Sequence, residues 1–275
     1  MDLNGDGSAD ILSGSYSRQQ RDMAGLFQVL WGQPNGTFKK AEVLKGTDNE
    51  PLIIPIKNET EMTENICTRP VAVDWTGNGK LDLIVGNFSG TFYRFIGEGN
   101  GRFNPKPELL KAIDNSTLRI AGAHSDPFVV DWDGDGDLDI VSGSSNGGVQ
   151  WVENIGGKVP QFRNFRHLIP AGPAPEDGKL LSEEDLTGPT TSTRVWVADV
   201  NNDGKLDLLV GDSVTLISTA KGVSKTDFPK RYAKWKAALD KAQEKEGGFS
   251  RTVYDQRKEF MVDEMTGYVW AYLRK

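Results

Sequence analysis

The chain has 275 residues, 37% hydrophobic and 26% charged, with 31 glycines and a formal net charge of −7. That is enough to bury a sizeable core as one large domain or two smaller ones. No basic stripe points to nucleic acid, no apolar run approaches the roughly 20 residues that span a bilayer, and the lone Cys67 excludes an intrachain disulfide and reads as a small buried residue rather than a nucleophile.

The chain opens on a loop, Asp2, Asn4, Asp6, Ser8 and Asp10 around Gly7, and continues as strands Asp10–Tyr16, Leu26–Trp31 and Phe38–Leu44. No strand leads into this loop and no signal peptide precedes it, so the chain is expected to be part of a longer protein or to begin at an internal Met. Gly46–Thr68, with Pro51 and Pro55, reads as a long surface loop. The second unit has strand Pro70–Trp75, the loop Asp74, Thr76, Asn78, Lys80 and Asp82 around Gly79, then strands Leu81–Asn87, Thr91–Ile96 and Phe103–Leu110. The third runs Pro127–Trp132, the loop Asp131, Asp133, Asp135, Asp137 and Asp139 around Gly136, Leu138–Ser144, a turn, Val149–Asn154, a Gly156-Gly157 turn, and a looser strand over Phe162–Ile169. Ala171–Thr193 reads as a second long loop.

The fourth unit has strand Arg194–Val200, the loop Asp199, Asn201, Asp203, Lys205 and Asp207 around Gly204, and strands Leu206–Asp212 and Val214–Ser218. Helical periodicity then takes over: Phe228, Tyr232, Trp235 and Leu239 form one stripe. A Gly247-Gly248 break follows, then a second helical stretch from Ser250 with Tyr254, Met261 and Met265 on one face. Gly267 ends it and Tyr268–Leu273 returns to strand. The expected organisation is blades over 1–222, a helical hairpin over 223–266 set between the third and fourth strands of the last blade, and a closing strand over 267–275. The stripe is expected to pack inward, although a charged protruding hairpin could also dock a partner.

First loop positions fall at 2, 74, 131 and 199, spacings of 72, 57 and 68 residues. Four-stranded meanders repeated at such intervals describe a β-propeller, an all-β architecture with about four blades here. In each loop side-chain oxygens stand at positions 1, 3, 5 and 9, a glycine at 6, and position 7 offers its backbone carbonyl. Oxygen-only ligation at that spacing suits Ca²⁺ better than Mg²⁺, and carboxylates this close repel without a cation. One match would say little, because Asp, Asn and Gly favour turns anyway; four matches, each followed by an apolar run, say more. An EF-hand is excluded, since its bidentate Glu at position 12 is here Ser13, Val85, Ser142 or Val210. Ligand charge ranks Asp131/Asp133/Asp135/Asp139 tightest and the loop 74–82 weakest. Four Ca²⁺ would bring the net charge from −7 to about +1.

The pattern D-x-[DNT]-x-[DN]-G-x-x-D followed by [IL]-[LIV]-x-G, in Asp2–Gly14, Asp74–Gly86, Asp131–Gly143 and Asp199–Gly211, resembles the FG-GAP or VCBS repeat of integrin-α-like β-propellers. With the helical insertion it is also similar to VCBS-repeat proteins of planctomycete-type bacteria. The resemblance implies calcium in the hairpin between a blade's first two strands, and a secreted, periplasmic or cell-surface setting. Integrin-like propellers have seven blades, so four units leave open a small closed ring or an arc of a larger one.

For catalysis the candidates are few. His124-Ser125-Asp126 holds triad residue types, but neighbours on an extended segment point to alternate faces and form no relay. His167 lies beside Arg163 and Arg166. The preferred function is a non-catalytic, calcium-bearing module that binds a protein or glycan of unknown identity. The alternative is a carbohydrate-active enzyme such as a polysaccharide lyase, which would need His124 with Arg119, or His167 with Arg163, in one cleft. Trp75 and Trp132, at loop position 2, read as blade-packing residues rather than sugar platforms. Sequons stand at Asn35, Asn58, Asn87 and Asn115.

Overall fold

The computed structural model describes residues 1–16, 25–156, 159–246 and 248–275; Gly157 and Gly247 of the predicted breaks lie outside them. Among the described residues, short β-rich runs separated by Asp/Asn/Gly loops fold into four antiparallel sheets of three or four strands and one two-stranded hairpin. The first holds β1 (Ile11–Ser13), β2 (Gln28–Leu30) and β3 (Glu42–Val43) in that order. The second is β4 (Arg69–Val73), β5 (Asp82–Gly86), β6 (Phe92–Phe95) and, beyond a small β7 (Gly97–Gly99)–β8 (Arg102–Phe103) hairpin, β9 (Glu108–Leu109). The third is the meander β10 (Asp126–Val130), β11 (Asp139–Gly143), β12 (Val149–Val152) and β13 (Arg166–Ile169). These are the predicted blades, with strands shorter than the apolar runs; Phe103–Leu110 splits into β8 and β9.

The fourth sheet departs from the expectation. After β14 (Thr191–Ala198), β15 runs unbroken from Asp207 to Thr219, so Leu206–Asp212 and Val214–Ser218 are one strand. Its first half pairs with β14 and with β17 (Val269–Tyr272); its second half pairs with β16 (Met261–Thr266). Between β15 and β16 lie α1 (Phe228–Glu246) and the short α2 (Arg251–Asp255), which ends in a 3-10 turn at Gln256–Glu259. Met261 and Met265 are therefore strand residues and not helical. The helical excursion leaves after the blade's second strand, not its third, and β17 is the third strand. Tertiary pairing decides this, because the edge of β15 from Val214 to Thr219 supplies backbone partners that helix would forgo. The stripe packs inward: Phe228, Trp235 and Leu239 are buried with Phe260 and Met261, and the Trp235 indole N–H donates to the Val253 carbonyl at 2.9 Å.

The core lies between blades. One cluster joins blades one and two through Phe27, Val29, Leu83 and Phe95. The next joins two and three through Ile84, Phe92, Ile140 and Val152, and the last joins three and four through Val141, Trp151, Leu208 and Val210. β5 and β11, sandwiched in this way, are buried at every residue. Trp75 and Trp132 are 4% and 7% exposed, the predicted packing residues.

A repeated clasp locks each junction. The backbone N–H of Ser15, Asn87 and Ser144 donates to the hydroxyls of Thr68, Ser125 and Thr193 in the next blade, at 2.9, 2.8 and 2.8 Å. The same three hydroxyl residues donate their own N–H back to the Ser15, Asn87 and Ser144 carbonyls. Glycine precedes each donor for a steric reason. A Cβ on Gly14, Gly86 or Gly143 would run into the carbonyl oxygen of Thr68, Ser125 or Thr193. One residue further along, Asp126 sits between Arg69 (3.3 Å) and Arg194 (3.8 Å), an ion pair shared by three blades.

Candidate metal centres

All four Asp/Asn loops share two internal bonds, from the position-6 N–H to the position-1 carboxylate and from the position-7 N–H to the position-5 side-chain oxygen. In the third, Asp131 accepts from Gly134 N–H (2.8 Å) and Gly136 N–H (3.0 Å), Asp133 from Asp135 N–H (3.3 Å), and Asp135 from Asp137 N–H (2.9 Å). The fourth repeats this, with Asp199 accepting from Asp203 and Gly204, Asn201 from Asp203, and Asp203 from Lys205. In the first, Asp2 accepts from Gly5, Asp6 and Gly7, Asn4 from Asp6, and Asp6 from Ser8. In the second, Asp74 accepts from Asn78 and Gly79, and Asn78 from Lys80. The position-6 glycines make the turn possible: Gly7, Gly79, Gly136 and Gly204 have φ of 86°, 80°, 96° and 84°, a left-handed region costly to other residues.

The loops differ in what occupies positions 3 and 5. Asn4 and Asn201 donate side-chain N–H to Asp6 (3.0 Å) and Asp203 (3.1 Å). Accordingly Asp6 is held below the usual carboxylate range by the Ser8 N–H and the Asn4 amide. The third loop has no amide at these positions. Its Asp131, Asp133 and Asp135 each bring a carboxylate oxygen to within 4.8 Å of the others, and among the described residues this is the group of three or more His, Cys, Asp or Glu that could hold an ion. Burial and then the Asp135 carboxylate hold Asp133 above its ordinary pKa. In the second loop Thr76 Oγ1 is buried without a hydrogen-bond partner. An oxygen-only set, with that orphaned hydroxyl and position-7 carbonyls at Ser8, Lys80, Asp137 and Lys205, fits a hard cation.

Position 9 has a second task that the spacing did not show. Asp10, Asp82, Asp139 and Asp207 are 5%, 1%, 0% and 0% exposed. One oxygen of each accepts the N–H of a residue beyond the hairpin: Gly32, Gly97, Asn154 or Arg274, at 2.7–2.8 Å. The other accepts the position-2 N–H of Leu3, Trp132 or Val200 in three loops. In the second loop it takes the Arg94 guanidinium instead, at 3.0 and 2.6 Å. A carboxylate has about four lone-pair sites, so these bonds leave capacity for a ligand. In the second loop, however, Arg94 already neutralises Asp82. Burial outweighs the N–H donors at Asp139 and pushes it up to about 6.

The catalytic candidates occupy other places. His124 lies against the Phe88 ring at 4.5 Å, and burial holds it below its ordinary pKa. Arg119 donates to the Ser89 carbonyl. His167 is exposed on β13, and Arg163 pairs with Glu153 at 3.1 Å. Cys67 is buried and its thiol is pushed up by burial, the reverse of an activated nucleophile. Sequence reasoning missed Arg94 and the clasp hydroxyls. The latter were visible as a Ser or Thr six residues before the first ligand in three units: Thr68, Ser125 and Thr193.

No helix among the described residues is long and apolar enough to cross a membrane. No curated protein matches the chain. Among solved structures, an Agrocybe aegerita lectin described as specifically recognising non-reducing terminal N-acetylglucosamine aligns over 99% of this chain and 56% of its own, with 15% identity and a TM-score of 0.42. The chain thus spans just over half the length of that lectin. A family model for FG-GAP-like repeats matches residues 74–142 and 131–210, taking in the second, third and fourth loops. With those repeats laid out as successive four-stranded or three-stranded blades, the chain is an FG-GAP-repeat protein of the β-propeller class.

Proposed function

We propose that this chain is a calcium-stabilised, non-catalytic propeller module of an exported or cell-surface protein, presenting its faces to a protein or glycan. The observation that carries the calcium reading is the convergence of Asp131, Asp133 and Asp135 within 4.8 Å on a loop already shaped by its own N–H groups. Four loops of this kind would hold up to four Ca²⁺, with the Arg94-neutralised loop at 74–82 the weakest. An ion bound to the folded hairpin and not to the unfolded chain adds its binding free energy to stability. Weak loops of this type fill at millimolar extracellular calcium and not at cytosolic levels, which supports export.

The test is a thermal melt in millimolar Ca²⁺ and in excess chelator at matched ionic strength. A marked drop in Tm on chelation is expected. An unchanged Tm would mean that the loops are bare turns and would remove the basis of this reading.

A further inference from the structure

The connection between blades one and two lies outside the repeat pattern, and it is fastened to the β5–β6 turn of blade two. Phe88 N–H donates to the Ile66 carbonyl at 2.9 Å, Ser89 N–H to the Thr63 carbonyl at 3.2 Å, and Ser89 Oγ to Thr63 Oγ1 at 2.7 Å. This docking brings the Glu64 carboxylate, at the end of a 3-10 stretch over Glu59–Asn65, onto blade two. Its Oε2 accepts from Thr91 Oγ1 (2.6 Å), Tyr93 Oη (3.2 Å) and Asn87 Nδ2 (3.3 Å). Burial and the Glu64 charge hold the Tyr93 phenol above its ordinary pKa, so it stays a donor at neutral pH. Oε1 is different. It stands 3.9 Å from Arg119 Nη2, too far for a hydrogen bond, and among the described residues no donor reaches it. Around this pair runs a cleft of about 520 Å³, lined also by Pro55, Ile56, Leu109, Lys57 and Glu61, a volume typical of small-molecule sites. In blade three the corresponding place is filled. There Ser144, Gly148 and Gln150 stand at the register positions of Asn87, Thr91 and Tyr93, and the Gln150 amide closes on the Ala121 N–H (2.7 Å) and carbonyl (2.9 Å).

We propose that this cleft binds one uncharged pyranose residue of a glycan, with two neighbouring hydroxyls of the sugar bridging Glu64 Oε1 and Arg119. The site rests on the glycan reading proposed above and gives that reading a place. A sugar hydroxyl donates and accepts at once. One hydroxyl can therefore donate to Oε1 while its neighbour accepts from the guanidinium, spanning a gap that the protein leaves at 3.9 Å. Both contacts are to charged groups, the stronger class of hydrogen bond. Lys57 and Arg119 balance Glu61 and Glu64 in the lining. A charged ligand would meet no excess of the opposite sign, and its desolvation would go uncompensated. Pro55, Ile56 and Leu109 offer apolar surface to the C–H face of a ring. Glu64 is already fixed by its three donors, so binding has mainly the half-exposed Arg119 side chain to order.

The test is an NMR titration of the chain labelled at Ile and Leu methyls. The probes are the methyl glycosides of glucose, galactose, mannose and N-acetylglucosamine, with methyl glucuronide as the charged control. At least one uncharged glycoside is expected to shift the Ile56 and Leu109 methyls saturably. Glu64→Gln keeps an oxygen for the three inner donors and removes the outward acceptor; Arg119→Met removes the donor at an exposed position. Each is expected to keep the wild-type Tm and to weaken binding about tenfold or more. Saturable binding that leaves Ile56 and Leu109 unmoved, or that survives both substitutions, would overturn this site and leave the glycan reading standing. Failure of all four glycosides to bind would overturn the site, as would tighter binding of the glucuronide. The calcium reading is judged separately, by the melt in chelator.

Discussion

Gly143 and Gly211 occupy the same repeat position in neighbouring blades, yet only one of them is covered. Gly143→Ala places a methyl into the Thr193 carbonyl of blade four, so the blades must part locally. Overpacking of this kind costs about 1–3 kcal/mol. The parting also stretches the 2.8 Å bond from Ser144 N–H to the buried Thr193 hydroxyl, and stranding a buried donor costs about 1–3 kcal/mol more. The expected loss is therefore about 2–6 kcal/mol. At Gly211 the methyl meets only the Arg194 Cβ at 4.0 Å, an ordinary van der Waals contact, and φ is not left-handed, so Gly211→Ala is expected to stay within about 0.5 kcal/mol of wild type. Urea unfolding in saturating Ca²⁺ reads both from the midpoint at constant m. Equal losses in the two variants would refute the argument that the following blade, rather than the strand itself, demands glycine.

Three further outcomes are expected. Asp135→Ala should remove more of the calcium-dependent rise in Tm than Asn78→Ala, since Asp135 belongs to the three-carboxylate cluster and the loop of Asn78 is already neutralised by Arg94; the reverse order would refute the ranking. Arg94→Met strands the Asp82 carboxylate, 1% exposed, and should cost about 3–5 kcal/mol by urea unfolding; a loss below about 1 kcal/mol would show that Asp82 needs no cation. For pH, Asp139 is pushed up to about 6 in the folded chain, against about 3.9 unfolded. In chelator the folded state then binds the extra proton between about pH 4 and 6, so this contribution to stability is full below about pH 4 and is lost as pH rises through about 6. Asp139→Asn should flatten that part of the profile, and an unchanged slope would refute the assignment.

The blades were legible because their signals are local. A turn of Asp, Asn and Gly followed by an apolar run such as Leu83–Val85 needs no distant partner to be read, and the loops fold on their own N–H groups. The inward-facing stripe of α1 was legible for the same reason, since helical periodicity is written within the element. Strand continuity in the last blade was not. Val214–Ser218 carries no mark that joins it to Leu206–Asp212, and Met261–Thr266 carries helical spacing; pairing along β15 settled both. The dual role of the position-9 aspartates was hidden too, because their donors lie on strands that the hairpin meets only after folding, as Asn154 meets Asp139 at 2.8 Å.

What the amino-acid sequence determined alone is the repeat: which residues turn, which enter the sheet, and which oxygens crowd into one loop. Those depend on contacts within about ten residues. Only the tertiary structure decided which face of each blade is covered. The same register position is sealed at Val141 and open at Leu209, and nothing local distinguishes them. Burial there is conferred by the neighbouring blade, so a repeat can specify both faces of an interface while the arrangement of the whole chain decides whether they meet.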